Sequence, residues 1–66
     1  MYTRVRELRE DKDLSQMQIA KILHMHKTTY RRYESGEREL PLNIAILLAK
    51  HYNVSLDYLA GLSDKP

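Results

Sequence analysis

Apolar residues recur along the chain at spacings of three and four, the rhythm of helices that bury one face. Val5 and Leu8, with Arg9 beside them, form such a stripe. They predict a first helix capped by Thr3 and running to about Lys12, where the polar run Asp11-Lys12-Asp13 ends it. Ser15 followed three residues later by Gln18 is a capping-box pattern, and Ile19, Ala20, Ile22 and Leu23 follow it. A second helix of about two turns is therefore expected from Gln16 to Leu23. A third should occupy about Lys27 to Ser35, stopped by Gly36 in the left-handed conformation, which leaves only His24-Met25-His26 as the link. Pro41 suits the first turn of a fourth helix reaching about Tyr52 before Asn53. Ser55 caps a short fifth helix, Leu56 to Ala60, with Asp57 in its first turn and Gly61 at its end. The expected class is all-α, a compact five-helix domain.

Composition narrows this further. A chain of 66 residues has room for one domain, expected over residues 1–62 with 63–66 as a tail. Two glycines and two prolines in the whole chain, with frequent Leu, Ile, Ala, Lys, Arg, Glu and Gln, favour helices over strands, and the lack of Cys excludes disulfides and a zinc–thiolate site. The opening Met1-Tyr2-Thr3-Arg4-Val5-Arg6 is too charged for a signal peptide core, and no apolar run approaches the roughly 18 residues of a membrane span. A soluble, cytoplasmic protein without membrane contact is expected.

Net charge is only +2, but its placement is uneven. Between Leu14 and Tyr33 there is no acid, while Lys21, Lys27, Arg31 and Arg32 all fall there. On a wheel at about 100° per residue, Tyr30 and Tyr33 lie on one side of the third helix, and Lys27, Thr28, Arg31 and Arg32 on the other. A two-turn helix, a tight link and a second helix with a cationic outer face form a unit that a DNA major groove accepts.

At this point the chain resembles the lambda-repressor-like, Cro and Xre family of helix-turn-helix regulators of bacteria and phage. The resemblance rests on Arg6-Glu7-Leu8-Arg9, on Leu14-Ser15-Gln16 with Ile19-Ala20, on Tyr33-Glu34 with Gly36, and on Val54-Ser55-Leu56-Asp57-Tyr58-Leu59 with Gly61, all in register over about residues 3 to 62. It implies five helices, with helices two and three as the DNA-binding unit, and sequence-specific binding of double-stranded DNA by a transcriptional regulator, usually a repressor. Base-reading positions of the family fall on Lys27, Thr28 and Arg32, with Arg31 reaching base or phosphate. The lesser alternative for Lys27 and Arg31 is a solubilising role. The family's phosphate-contacting Gln corresponds to Gln16, and Lys21 and Arg38 are placed as further phosphate contacts. An Arg of helix one often pairs with a Glu closing helix three, which assigns Arg9 and Glu34 to a structural ion pair.

The match has departures. His24 stands where relatives usually have a turn Gly, and His26 where Ser or Thr usually caps helix three. Glu37 and Glu39 flank Arg38 in a loop where several basic residues are common, which weakens the clamp on that side. His24 and His26 on one turn, with a distant His51, fall short of a metal site. No cofactor is implied.

An enzyme finds little support, for the chain lacks a phosphate-binding Gly loop and a compact set of His, Ser and carboxylate groups. The competing reading is an antitoxin-like protein-binding module that also binds DNA. The run Ile44 to Ala49 is six apolar residues, more than one helix face can bury against its own core. With Leu42, Ala45, Ile46, Ala49 and Tyr52 taken as the inward stripe, Ile44 and Leu47 point away. Together with Leu48, Tyr58 and Leu62 they are the candidates for a homodimer interface, which would present two recognition helices about 34 Å apart to an inverted-repeat operator.

Overall fold

A computed structural model describes residues 2 and 4–66. Five helices follow one another: α1 Val5–Asp11, α2 Gln16–Ile22, α3 Lys27–Ser35, α4 Leu42–Tyr52 and α5 Leu56–Leu59. No strand occurs among the described residues. The Thr3 cap lies outside the described residues, and Arg4 occupies the cap position of α1 without a side-chain hydrogen bond.

Local chemistry explains where the helices start. At α2 the Ser15 Oγ accepts from the Gln18 N–H while the Gln18 side chain accepts from the Ser15 N–H, a complete capping box. Ser15 also begins its helix from extended backbone, as does Ser55, whose Oγ accepts from the Tyr58 N–H at α5.

Four of the five helix ends follow one rule. A residue in the left-handed conformation closes α1, α2, α4 and α5 at Asp13, His24, Asn53 and Gly61. The next N–H then returns to a carbonyl five residues back: Leu14 to Arg9, Met25 to Ala20, Val54 to Ala49 and Leu62 to Asp57. This is the Schellman arrangement, in which the residue after the left-handed one is apolar and folds back on the helix. Leu14, Met25 and Val54 pack against the core accordingly. Leu62 instead remains 80% exposed.

All five helices contribute to a single core. Val5, Leu8, Ile19, Ala20, Leu23, Tyr30, Ala45, Leu48, Ala49, Tyr52 and Leu59 are buried, with Leu40 from the α3–α4 loop. The chain ends of the bundle are joined where the Arg4 N–H donates to the Leu59 carbonyl at 3.2 Å and the Arg4 guanidinium lies 4.1 Å from the centre of the Tyr58 ring.

The orientation of α4 corrects the sequence expectation. Its buried stripe is Ala45, Leu48, Ala49 and Tyr52, while Leu42 and Ile46, expected inward, face outward and Ile44, expected to point away, packs partly against the core. Leu48 is fully buried, so it belongs to the core and not to the group of interface candidates. The cause is the breadth of the apolar run, which leaves the wheel of α4 without a sharp polar side. Packing against α5 then selects the face. Leu48→Ala should therefore cost about 3 kcal/mol, as for a buried Leu in a small core. Leu47→Ala should stay within about 0.5 kcal/mol of the parent, as for an exposed position. Chemical denaturation of the two variants measures both, and equal losses would contradict this orientation.

Candidate nucleic-acid interface

The segment α2–turn–α3 is the most closely associated pair of consecutive helices in the first half of the chain. It turns at His24, whose φ of 57° is the left-handed value that favours Gly. A His therefore holds the turn at some conformational strain. His26 takes the extended cap conformation before Lys27 but makes no side-chain cap bond.

Helix α3 has two unlike sides. Tyr30 is fully buried and Tyr33 is packed on the core. Lys27, Thr28, Arg31 and Arg32 are exposed, and these four residues share one outward face. Lys21 on α2 and Arg38 after α3 are also exposed. His24 and His26 are exposed, and no cluster of three metal-binding side chains occurs among the described residues.

Behind this face lies a polar network. Arg9 Nε and Nη2 donate to the two Glu34 carboxylate oxygens at 2.9 and 3.0 Å, a bidentate pair. Arg9 Nη1 donates to the Leu14 carbonyl at 2.6 Å, and Gln16 Nε2 donates to Glu34 Oε1 at 3.2 Å. The Arg9 and Glu34 side chains are only 12% and 4% exposed, so the charges are held largely away from water. Burial opposes the Glu34 charge, but the hydrogen bonds from Arg9 and Gln16 and the Arg9 charge outweigh it and keep the carboxyl below its usual range. The hydrogen bond to Glu34 raises the Arg9 pKa further. The Tyr30 hydroxyl approaches the same carboxylate without hydrogen-bond geometry, and burial together with that charge pushes its pKa far up. Burial also pushes Tyr52 up to about 12.

Gln16 is thus partly committed inside the protein, a role that sequence reading did not foresee. A second unforeseen contact lies outside: Glu37 Oε1 is 3.3 Å from Arg31 Nη1, and its Oε2 is 3.9 Å from Arg32 Nε. The separations of six and five residues match no helical pairing rule. Gly36, at φ 86°, reverses the chain and makes the contact.

A family model described as helix-turn-helix matches residues 5–59, which includes every helix just described. The chain belongs to this helix-turn-helix family. The resemblance to lambda-repressor-like and Xre proteins and the all-helical fold are both borne out. HTH-type transcriptional regulator YobD of Bacillus subtilis, itself uncharacterised, is 38% identical over 63 residues, covering 96% of this chain and 56% of that protein. The cryptic phage CTXphi transcriptional repressor RstR of Vibrio cholerae is 34% identical over 62 residues, with 94% and 56% covered. HTH-type transcriptional regulator PrpR of Mycobacterium tuberculosis is 28% identical over 61 residues, with 92% and 13% covered. The helix-turn-helix chain spans about half the length of the first two. No solved structure gives a significant match. No described helix is long and apolar enough to cross a membrane.

The network makes a clear prediction for the family fold here. Glu34→Ala leaves the Arg9 guanidinium without its partner in a nearly dry site and should destabilise by about 3 kcal/mol. For a domain of this size that lowers Tm by more than about 10 °C. Because the folded Glu34 pKa is depressed, its contribution is present above the usual carboxylate range and is lost as pH falls through the folded value. Thermal melts between neutral and acid pH should thus show a steeper acid loss in the parent than in Glu34→Gln. Parallel pH profiles would contradict the assignment.

Proposed function

We propose that this chain is the DNA-binding part of a transcriptional regulator, most simply a repressor, that places α3 in a major groove of double-stranded DNA. The observation that carries the reading is the outer face of α3: Lys27, Thr28, Arg31 and Arg32 are solvent-facing on a helix whose opposite side is locked by Tyr30. A helix anchored in the core on one side, with exposed cations on the other, suits groove recognition. The two relatives with about a third of residues identical, one named a transcriptional regulator and the other a transcriptional repressor, support it. Helix-turn-helix regulators are typically not enzymes.

In this reading Thr28 and Arg32 meet base edges, Lys27 and Arg31 reach base or phosphate, and Gln16, Lys21 and Arg38 position the backbone. Gln16 keeps one amide hydrogen on Glu34 and has a second to offer, since a primary amide carries two. The regulator works in the cytoplasm of the cell that carries its operator.

The partner arrangement we favour is a homodimer on an inverted repeat. Leu42, Ile46 and Leu47 are 59%, 39% and 48% exposed on one side of α4. Leu62, left uncovered at its helix end, is a further apolar surface. Tyr58, half-buried beneath Arg4, and Ile44, packed on the core, stand at the margin of such an interface. These apolar groups favour a second copy of the chain over an antitoxin-like heterologous partner, because two-fold pairing also yields the two correctly spaced α3 helices.

Selection of bound duplexes from random DNA tests the main reading, and an enriched inverted repeat is the expected result. Arg32→Ala should then weaken the preferred duplex by about 1–3 kcal/mol and relax selectivity at about one base pair. Uniform weakening over all sequences would make Arg32 a phosphate contact. For the dimer, sedimentation at micromolar concentration with and without the selected duplex is decisive. The double change Ile46→Glu and Leu47→Glu should abolish association and reduce affinity for the full repeat, whereas a monomeric parent with unaffected DNA binding would dismiss it.

A further inference from the structure

Arg31 and Arg32 are the two arginines of the outer α3 face, and both contact one carboxylate. Glu37 is held in place on three counts. Gly36 bends the chain back, the Arg38 N–H donates to the Arg32 carbonyl at 3.2 Å, and the Glu37 N–H donates to Ser35 Oγ at 3.4 Å. Both arginine side chains are 45% exposed and that of Glu37 is 54% exposed, so the pairing is wet and individually weak.

We propose that Glu37 is a specificity-determining residue, one that suppresses indiscriminate phosphate contact by Arg31 and Arg32 while leaving their base-reading edges free. The inference rests on the reading of α3 as the base-contacting helix.

The chemistry of the guanidinium supports this division of labour. Each carries five N–H donors, and a guanine edge takes two of them. Glu37 engages Arg31 through Nη1 and Arg32 through Nε, so each fork retains donors for a base. A phosphate, by contrast, is attracted mainly by net charge, and a carboxylate within 4 Å of both arginines cancels about half of theirs. On a non-cognate duplex, where charge is nearly the whole attraction, the loss is felt in full. On the cognate duplex, Glu37 also restricts the arginine rotamers before binding, and this gain offsets the lost attraction.

Affinities of the parent, Glu37→Gln and Glu39→Gln for the selected duplex and for an unrelated duplex of equal length, measured over a salt series, provide the test. Glu39 lies on the same loop, carries the same charge and makes no ion pair among the described residues, so it controls for net charge alone. Glu37→Gln should raise affinity for the unrelated duplex about fivefold and steepen its salt dependence by about one unit of slope. Affinity for the selected duplex should rise by less than about twofold, so that discrimination falls. Glu39→Gln should shift both duplexes by similar small factors. Equal rises on both duplexes with Glu37→Gln, or the same loss of discrimination with Glu39→Gln, would overturn the proposal. A parent chain that enriches no sequence in the selection overturns the reading of α3 itself, a result distinguishable from either of these. Helical circular dichroism of the exposed-site variants verifies that folding is intact.

Discussion

The geometry of the helix-turn-helix unit depends on one carboxylate. Glu34, at the last turn of α3, accepts from Arg9 of α1 twice and from Gln16 of α2 once, while Arg9 also donates to the Leu14 carbonyl in the loop between those helices. Three helices and a loop therefore converge on a single, nearly buried charge pair. A buried pair of this kind is weak evidence of net stability, because desolvation offsets much of the attraction. Its value lies in directionality: a bidentate fork accepts only a narrow range of approach, so it sets how α2 and α3 lie relative to α1 in a way that apolar contact alone does not. The apolar core closes the bundle, and the pair fixes the angle at which α3 is offered.

That division explains what the sequence disclosed. Helix starts were legible because they are written in local chemistry: the Ser15–Gln18 box and the Ser55 cap depend on residues three apart. Helix ends were legible at Gly36 and Gly61, where the residue type announces a left-handed conformation, and at Asn53, which tolerates it. Asp13 and His24 take the same conformation with less obvious side chains. There the signal is in the following residue: Leu14 and Met25 are apolar positions one step after a polar one, as the returning chain of a Schellman end requires. The family resemblance supplied the Arg9–Glu34 assignment, since nothing local links residues 25 apart.

The roll of α4 and the reach of Glu37 were not legible, for different reasons. Hydrophobic periodicity locates a buried face only when polar residues mark the opposite one, and the six apolar residues from Ile44 to Ala49 erase that contrast. Which of Ile46 and Leu48 turns inward is decided by the neighbouring helix, a tertiary fact. Glu37 in turn reads from sequence as a like-charge irritant beside a phosphate clamp. Only the reversal at Gly36 places its carboxylate against α3 instead of out in the loop.

The charge pattern acquires a different meaning once the fold is known. The stretch from Leu14 to Tyr33 contains no acid, yet both arginines at its end are met by an acid from just beyond it. Lys21 and Lys27, nearer the start of the unit, and Arg38 beyond its end make no ion pair among the described residues, whereas Arg31 and Arg32 do. In the proposed reading, Lys21 and Lys27 supply the long-range attraction that draws a polyanion to α2 and the front of α3. If α3 reads bases as proposed, short-range hydrogen bonding by the arginines farther along it operates against partial neutralisation by Glu37, which favours contacts that are well directed over those that are merely close. In the proposed reading, attraction and discrimination thus fall to successive turns of the same nine-residue helix.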